Sequence, residues 1–202
     1  MEYKAKDFSS LYGMEGFSKK LLSDHFKLYE GYVSNVNQIL EELSSPPAEG
    51  EDEGIQRSEL RRRLGWEFDG MRLHELYFGN LGGDGALLRD GDVPKQLESS
   101  FGGTEQWTAD FRAAGAMRGI GWAVLYFDPV GDRLLNFWIN EHDAGHPAGC
   151  VPLLVMDVWE HAFMTDYGTD RASYIDAFLA NVEWREVERR LFAARATHAA
   201  AR

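Results

Sequence analysis

Two side chains that commonly bind metal ions stand close together in the stretch DVWEHAFMTDYG, residues 157–168. Asp157 supplies a carboxylate, and His161, four residues later, supplies an imidazole. The preceding residues VPLLVM are almost wholly apolar, which predicts a buried strand that ends at Asp157. An unpaired buried carboxylate is strongly unfavourable, so this acid needs partners. The pattern suggests a metal site, although the D-x-x-x-H spacing alone is a weak signal.

Two further histidines, His25 and His74, also lie in strongly apolar segments. Taken singly, each is better explained as a hydrogen-bonded core histidine than as a metal ligand. Together with Asp157 and His161 they provide three nitrogen ligands and one carboxylate. This set suits a first-row transition metal such as iron or manganese, and the sequence has no cysteine-rich zinc pattern.

A long helical hairpin is predicted for the N-terminal part of the chain. Apolar and aromatic residues recur at spacings of three and four over Phe17–Leu43, with Ser18 as the N-cap. A second helix is predicted over Ile55–Phe78 and ends at the glycine-rich GNLGGDG. Between them, SSPPAEGEDEG contains two prolines and an acidic run, which predicts a solvated loop.

The chain changes character after Gly91. Two short helices are predicted first, and then GIGWAVLYFD and RLLNFWIN form a β-hairpin around PVGD. CVPLLVMD predicts a third strand, and two helices close the chain. The expected fold class is therefore α+β. A helical-hairpin domain of residues 1–88 precedes an α/β domain of residues 89–202 with a small, about three-stranded, antiparallel sheet.

The composition limits the possible partners. The net charge of −12 argues against nucleic acid, because binding phosphates requires a basic face. No segment approaches the length of a membrane span, and the N-terminal MEYKAKDFSS lacks the apolar core of a secretory signal. The single cysteine, Cys150, excludes an intramolecular disulfide. We expect a cytoplasmic protein with no nucleic-acid or membrane partner.

The residues around the candidate ligands resemble the iron/manganese superoxide dismutase family. DVWEHAF matches its highly specific D-x-W-E-H-A-(F/Y) motif, and GIGWAVLYFD is similar to its G-(S/T)-G-W-A segment. FWINEHDAGHPAGCVPLL resembles the branch that carries a histidine in the loop before the last strand. MRLHELYFGNL is similar to the N-H-x-x-F-W-x-x-(L/M) stretch. The match is nearly continuous over residues 55–192.

This resemblance implies a superoxide dismutase with one iron or manganese ion per subunit, acting on superoxide as a homodimer or tetramer. It makes His74, Asp157 and His161 metal ligands. Glu160 would cross the dimer interface and brace His161 of the other subunit. Arg171 matches the arginine at the substrate entrance.

The resemblance also implies roles for residues next to the ion. His142 would hydrogen-bond the solvent at the metal, and Tyr32 would stand beside it as a proton donor. Gly70 lies one turn before His74. A glycine there matches the branch of the family in which the residue that bonds this solvent, here His142, comes from the C-terminal half of the chain. Trp122 and Trp159 would wall the site. At the entrance, Lys27 would join the arginine in attracting an anion.

The ligand on the first helix has two candidates. The family places it in H-H-x-K-H-H-x-x-Y-V, and an ungapped alignment on YVSNVN puts Asp24 at that position. Helix geometry favours His25, because His25, Tyr29 and Tyr32 share one face at spacings of four and seven. Asp24 and Tyr32 would be about 80° apart. A one-residue deletion relative to the family would make His25 the ligand, so we favour His25 and keep Asp24 as the alternative.

Several family residues are replaced. Leu28 and Tyr29 stand where the family has a histidine pair, Met164 where it has tyrosine, and Phe78 where it has tryptophan. The histidine–tyrosine link between subunits is therefore absent. This departure motivates a second hypothesis, a metal-binding relative with lost or altered dismutase activity.

Overall fold

The computed structural model describes residues 2–45 and 54–200 of the chain. Two long helices, two shorter helices, a three-stranded sheet and a helical C-terminal part follow one another. The elements are α1 Lys19–Ser44, α2 Gly54–Gly79, α3 Asp92–Phe101, α4 Thr104–Ala116, β1 Trp122–Asp128, β2 Arg133–Ile139, β3 Val151–Asp157, α5 Met164–Tyr167, α6 Arg171–Ala180 and α7 Trp184–Ala200. Most of the predicted acidic loop, residues 46–53, lies outside the described residues.

Helix α1 begins where the sequence predicts. The Ser18 side chain accepts a hydrogen bond from the backbone N–H of Leu21 at 3.0 Å, which satisfies one of the free donors of the first turn. At the other end, Arg57 of α2 donates to the backbone carbonyls of Glu42 and Leu43 at 3.0 Å. The two long helices are thereby joined as the predicted hairpin, and α1 presents one continuous buried face to α2.

The sheet has the strand order β2-β1-β3 and is antiparallel throughout. Strand β1 is central and is buried over Trp122–Phe127, as expected for a strand covered on both faces. The first residue of β1, Trp122, pairs with Asp157, the last residue of β3. This register places an indole beside the candidate carboxylate ligand.

The α+β fold class is therefore confirmed. The division into domains of residues 1–88 and 89–202 stays a prediction. Within residues 2–45 and 54–200, no helix combines the length and apolarity that crossing a bilayer requires.

Candidate metal centre

Four side chains from four different elements converge between the helical hairpin and the sheet. They are His25 of α1, His74 of α2, Asp157 at the end of β3 and His161 in the short turn that follows. Their potential ligand atoms all lie within 4.8 Å of one another. The side chains of the first three are fully buried, and that of His161 is 27% exposed. These are the four residues that the sequence predicts as ligands.

The Asp157 carboxylate is at the centre of the cluster. Its Oδ2 lies 3.2 Å from Nε2 of His25, 3.1 Å from Nε2 of His161 and 3.6 Å from Nε2 of His74. The other oxygen, Oδ1, accepts the backbone N–H of Trp159 at 2.8 Å. Burial alone would raise the pKa of Asp157, but the neighbouring His161 and His25 hold it well below its usual value. The group is an anion whose Oδ2 faces three imidazoles.

His74 is held with one nitrogen free to bind a cation. Its Nδ1 lies 2.6 Å from the carbonyl oxygen of Gly70, one turn earlier on α2, and a carbonyl only accepts. The proton is therefore on Nδ1, and Nε2 presents a lone pair toward the cluster. Burial keeps the pKa of His74 well below its usual value, so the ring is neutral.

The Nε2 atom of His74 is buried and has no hydrogen-bond partner among the described residues. A buried, unpaired lone pair is uncommon in a folded protein and calls for an explanation. A cation held by three imidazole nitrogens and one carboxylate oxygen satisfies this lone pair and balances the Asp157 charge. The donor set fits iron or manganese.

The structure separates the two candidates on the first helix. His25 is buried within the cluster, whereas Asp24 is exposed and pairs with Lys20 at 2.6 Å. His25 and Tyr32 are seven residues apart, close to two full turns, so both point to the same side of α1. The geometry favours His25 over Asp24.

A hydrogen-bond network adjoins the cluster. Trp122 Nε1–H donates to His142 Nδ1 at 3.1 Å, and His142 Nε2 lies 2.7 Å from Tyr32 Oη. Burial lowers the pKa of His142 to about 4, so its ring is neutral at pH 7. Because the indole is only a donor, Nδ1 must accept, and the single ring proton is on Nε2. His142 therefore donates to Tyr32, which leaves the Tyr32 O–H free to donate elsewhere.

Aromatic rings enclose this network and exclude water from it. The ring of Trp159 is stacked 4.8 Å from that of His142, and the ring of Trp122 lies 5.0 Å from that of His74. The ring of Phe78, on α2, has its centroid 4.8 Å from that of His25 on α1. In such dry surroundings, charges and hydrogen bonds interact more strongly than in water.

Comparison with known proteins agrees with this arrangement. Residues 89–190 match the family model for the C-terminal domain of iron/manganese superoxide dismutases. The chain is 36% identical to a manganese superoxide dismutase of Mycolicibacterium fortuitum over 171 residues, which are 84% of this chain and 82% of that protein. It is 37% identical to an iron superoxide dismutase of Cupriavidus metallidurans over 188 residues, 90% of this chain and 91% of that protein.

The chain belongs to the iron/manganese superoxide dismutase family. Gly70 lies on α2 one turn before His74, and the structure gives a physical reason for glycine at this position. A Cβ atom on Gly70 would lie 2.7 Å from Cδ1 of the Tyr32 ring. Any larger residue would displace the ring that bonds to His142.

Three residues that the family resemblance assigns to the entrance or the subunit interface lie at the protein surface or on its margin. Arg171 donates to the carbonyl oxygens of Met117 and Gly119 at 2.7 and 2.9 Å, so its guanidinium is already bound to the backbone. Lys27 and Glu160 are exposed. In the part of the chain that the structure describes, no hydrogen bond joins these three to the four clustered side chains, and their roles stay predictions.

Three residues near the centre were not predicted from the sequence. The Tyr174 hydroxyl donates to the backbone carbonyl of Asp157 at 2.6 Å, and the Trp66 ring lies 4.5 Å from that of His142. His146, which precedes a proline in a glycine-rich loop, contacts the backbone of His142. The family resemblance assigned a role to none of them, although His146 lies within the FWINEHDAGHPAGCVPLL stretch that carries it. The spacing of four between His142 and His146 is the one sequence signal that could have drawn attention to the loop contact.

Proposed function

We propose that this protein is a superoxide dismutase that holds one iron or manganese ion per subunit and converts superoxide into hydrogen peroxide and oxygen. The observation that carries the proposal is the convergence of His25, His74, Asp157 and His161 within 4.8 Å, in a member of the iron/manganese superoxide dismutase family. The chemistry that such an ion supplies when bound is one-electron cycling between its divalent and trivalent states.

The proposed ligands have distinct tasks. Three neutral imidazoles bind without adding charge, and the Asp157 carboxylate offsets part of the charge of the ion. The hydrogen bond from the Trp159 backbone N–H to Oδ1, and that from His74 Nδ1 to the Gly70 carbonyl, fix two of the ligands in orientation. Contacts of this kind set the geometry and the potential of a metal site.

Tyr32 and His142 are proposed to handle protons. Forming peroxide from superoxide requires two protons for each molecule of peroxide, and they must arrive in a site from which bulk water is largely excluded. The Tyr32 O–H is free to donate because His142 Nε2–H already donates to Tyr32 Oη. Burial raises the pKa of Tyr32 above its usual value, so the hydroxyl keeps its proton at neutral pH. The pair therefore holds a proton beside the cluster for general acid catalysis.

The family resemblance extends the proposal to assembly and substrate capture. We propose a homodimer or tetramer in which Glu160 of one subunit braces His161 of the other, and the partly exposed His161 ring supports this contact. Lys27 and Arg171 are proposed to attract superoxide against the net charge of −12. The compartment that we propose is the cytoplasm, because the single Cys150 makes no intramolecular disulfide.

The test combines elemental analysis with a superoxide-removal assay on the purified protein loaded separately with iron and with manganese. The proposal predicts one ion per subunit and activity far above that of the same concentration of free ion. Bound metal without such activity would overturn it in favour of a metal-binding relative that has lost dismutation, the hypothesis that the residues at Leu28, Tyr29 and Met164 motivate.

A further inference from the structure

The His142 loop is fixed to strand β1 at two separate points. At the first of these points, the His142 ring accepts a hydrogen bond from the indole N–H of Trp122. At its second point, four residues later, His146 Nδ1 lies 2.7 Å from the hydroxyl of Tyr126. Trp122 and Tyr126 are also four residues apart and belong to the same strand, so their side chains leave the same face of the sheet.

His146 also holds the backbone of His142. Its Nε2 lies 2.6 Å from the His142 carbonyl oxygen. Because a carbonyl only accepts, Nε2 carries a proton and donates it. The other ring nitrogen, Nδ1, bonds the Tyr126 hydroxyl, so both nitrogens of the ring are held. Burial raises the pKa of Tyr126 above its usual value, and the hydroxyl keeps its proton.

The loop needs such a support because its own backbone gives it little regular structure. Residues 140–150 contain no helix or strand, and Glu141 adopts a positive φ of 57°. Such a conformation is uncommon for a residue other than glycine. One isolated bridge, between Asn140 and Ala144, pairs the backbone within this part of the described chain. Asp69 of α2 is near the same ring nitrogen of His146, with Oδ2 3.9 Å from Nε2.

We propose that His146 is a positioning residue: it fastens the loop of residues 140–146 to β1 and thereby holds the His142 ring at bonding distance from Tyr32. Tyr126 orients His146, and His146 fixes the carbonyl of the residue whose ring takes part in proton delivery. The consequence for catalysis rests on the proposed dismutase function. The consequence for the loop does not, and it can be measured separately.

The experiment compares His146→Phe, which keeps a ring but removes both bonding nitrogens, with His146→Gln, whose amide N–H replaces Nε2–H. Hydrogen exchange of the backbone amides of residues 140–146 is followed in the metal-loaded protein, together with the visible absorption of the ion, kcat and kcat/KM. For His146→Phe we expect exchange about fivefold faster and kcat about fivefold lower, the factor for losing the one hydrogen bond that holds the His142 carbonyl. The absorption band should shift, whereas kcat/KM, which reports substrate capture, should stay unchanged.

His146→Gln should restore the wild-type exchange rate, spectrum and kcat to within about twofold, since one N–H donor replaces another. His198→Phe makes the same change on α7, away from the loop, and should have no effect on any of these readouts. Tyr126→Phe removes only the hydroxyl that orients His146, and a smaller rise in loop exchange is expected. This variant still decides the question where His146→Phe does not fold.

The proposal is overturned if loop exchange is unchanged in His146→Phe and Tyr126→Phe, or if His146→Gln behaves like His146→Phe. A wild-type protein without dismutase activity would refute the proposed function alone. The exchange rates of the three variants would still decide whether His146 holds the loop.

Discussion

The two halves of the metal cluster are built in different ways. Asp157 and His161 are four residues apart, at the end of β3 and in the turn after it, and a backbone N–H inside that turn holds the carboxylate. His25 and His74 come from two helices and meet this pair only through packing of the hairpin on the sheet. Local backbone geometry therefore sets the positions of Asp157 and His161. The positions of His25 and His74 depend instead on the direction in which each residue faces around its helix.

This difference explains where a sequence is informative. In a strand-and-turn motif the functional residues lie close together in one continuous segment at a fixed spacing, so the motif can be recognised from that segment alone. On a helix, a shift of one residue rotates a side chain by about 100°, which is enough to turn a ligand into a surface residue. Asp24 and His25 are such neighbours: one is exposed, and the other is fully buried in the cluster.

The largest loss of metal binding is expected from a substitution in the strand-and-turn half of the cluster, at Asp157. Asp157→Ala removes the only carboxylate in the cluster and leaves three imidazoles without a counter-charge. Loss of a contact outside the ligand set already reduces metal affinity by about 10- to 100-fold, and loss of this ligand should exceed that range. Elemental analysis and titration with manganese measure it. Asp90→Ala, at an exposed position before α3, is the control and should bind metal normally.

The second prediction tests the phase of α1. His25→Ala should lose most of the bound metal, because one of three nitrogen ligands is removed and a cavity remains in a buried site. Asp24→Ala should keep it, because Asp24 is exposed and pairs with Lys20. The two substitutions are adjacent, so they share the same helix context. Metal loss in Asp24→Ala alone would show that Asp24, rather than His25, faces the cluster.

The third prediction concerns the dependence of stability on pH. Burial lowers the pKa of His142 to about 4, below the value of about 6.5 for an unfolded chain. Between these values the unfolded state binds the proton, so His142 contributes its full stability above about pH 6.5 and loses it as the pH falls toward 4. Burial also lowers the pKa values of His25 and His74, so they act in the same direction.

Denaturant unfolding of the wild type and of His142→Gln at a series of pH values isolates this contribution. The free energy of unfolding of the wild type should fall more steeply between pH 6.5 and 4 than that of the variant, and the two slopes should agree above pH 7. Parallel curves over the whole range would show that His142 does not titrate as its burial implies.

Much of the fold and of the cluster followed from the sequence, for identifiable reasons. Helix α1 and its Ser18 cap follow from apolar spacing and capping chemistry, and β3 ends at Asp157 as its apolar run predicts. The contacts of Tyr174 and His146 did not follow, because both join residues to backbone carbonyls across the tertiary structure. Every residue has a backbone carbonyl, so no sequence motif indicates which carbonyl will accept a hydrogen bond from a distant side chain.

The smallest expected effect separates two glycines, one on each long helix. Gly70 on α2 is buried, and a Cβ there would lie 2.7 and 2.8 Å from two carbons of the Tyr32 ring. Gly31 on α1 is exposed, and a Cβ there would meet no described atom within 4 Å apart from its own helix backbone and chain neighbours. Alanine at Gly31 should stabilise the protein by about 0.5–1 kcal/mol through helix propensity alone.

Gly70→Ala receives the same propensity gain but must also displace the Tyr32 ring, and overpacking of a buried site typically costs about 1–3 kcal/mol. We therefore expect net destabilisation of Gly70→Ala in thermal unfolding, in contrast to Gly31→Ala. Because the displaced ring is the one that bonds to His142 at 2.7 Å, Gly70→Ala should also lower kcat while metal content stays at the wild-type level. Equal stability of the two variants would mean that Tyr32 moves freely, and the helical half of the centre would then be less rigid than the strand-and-turn half.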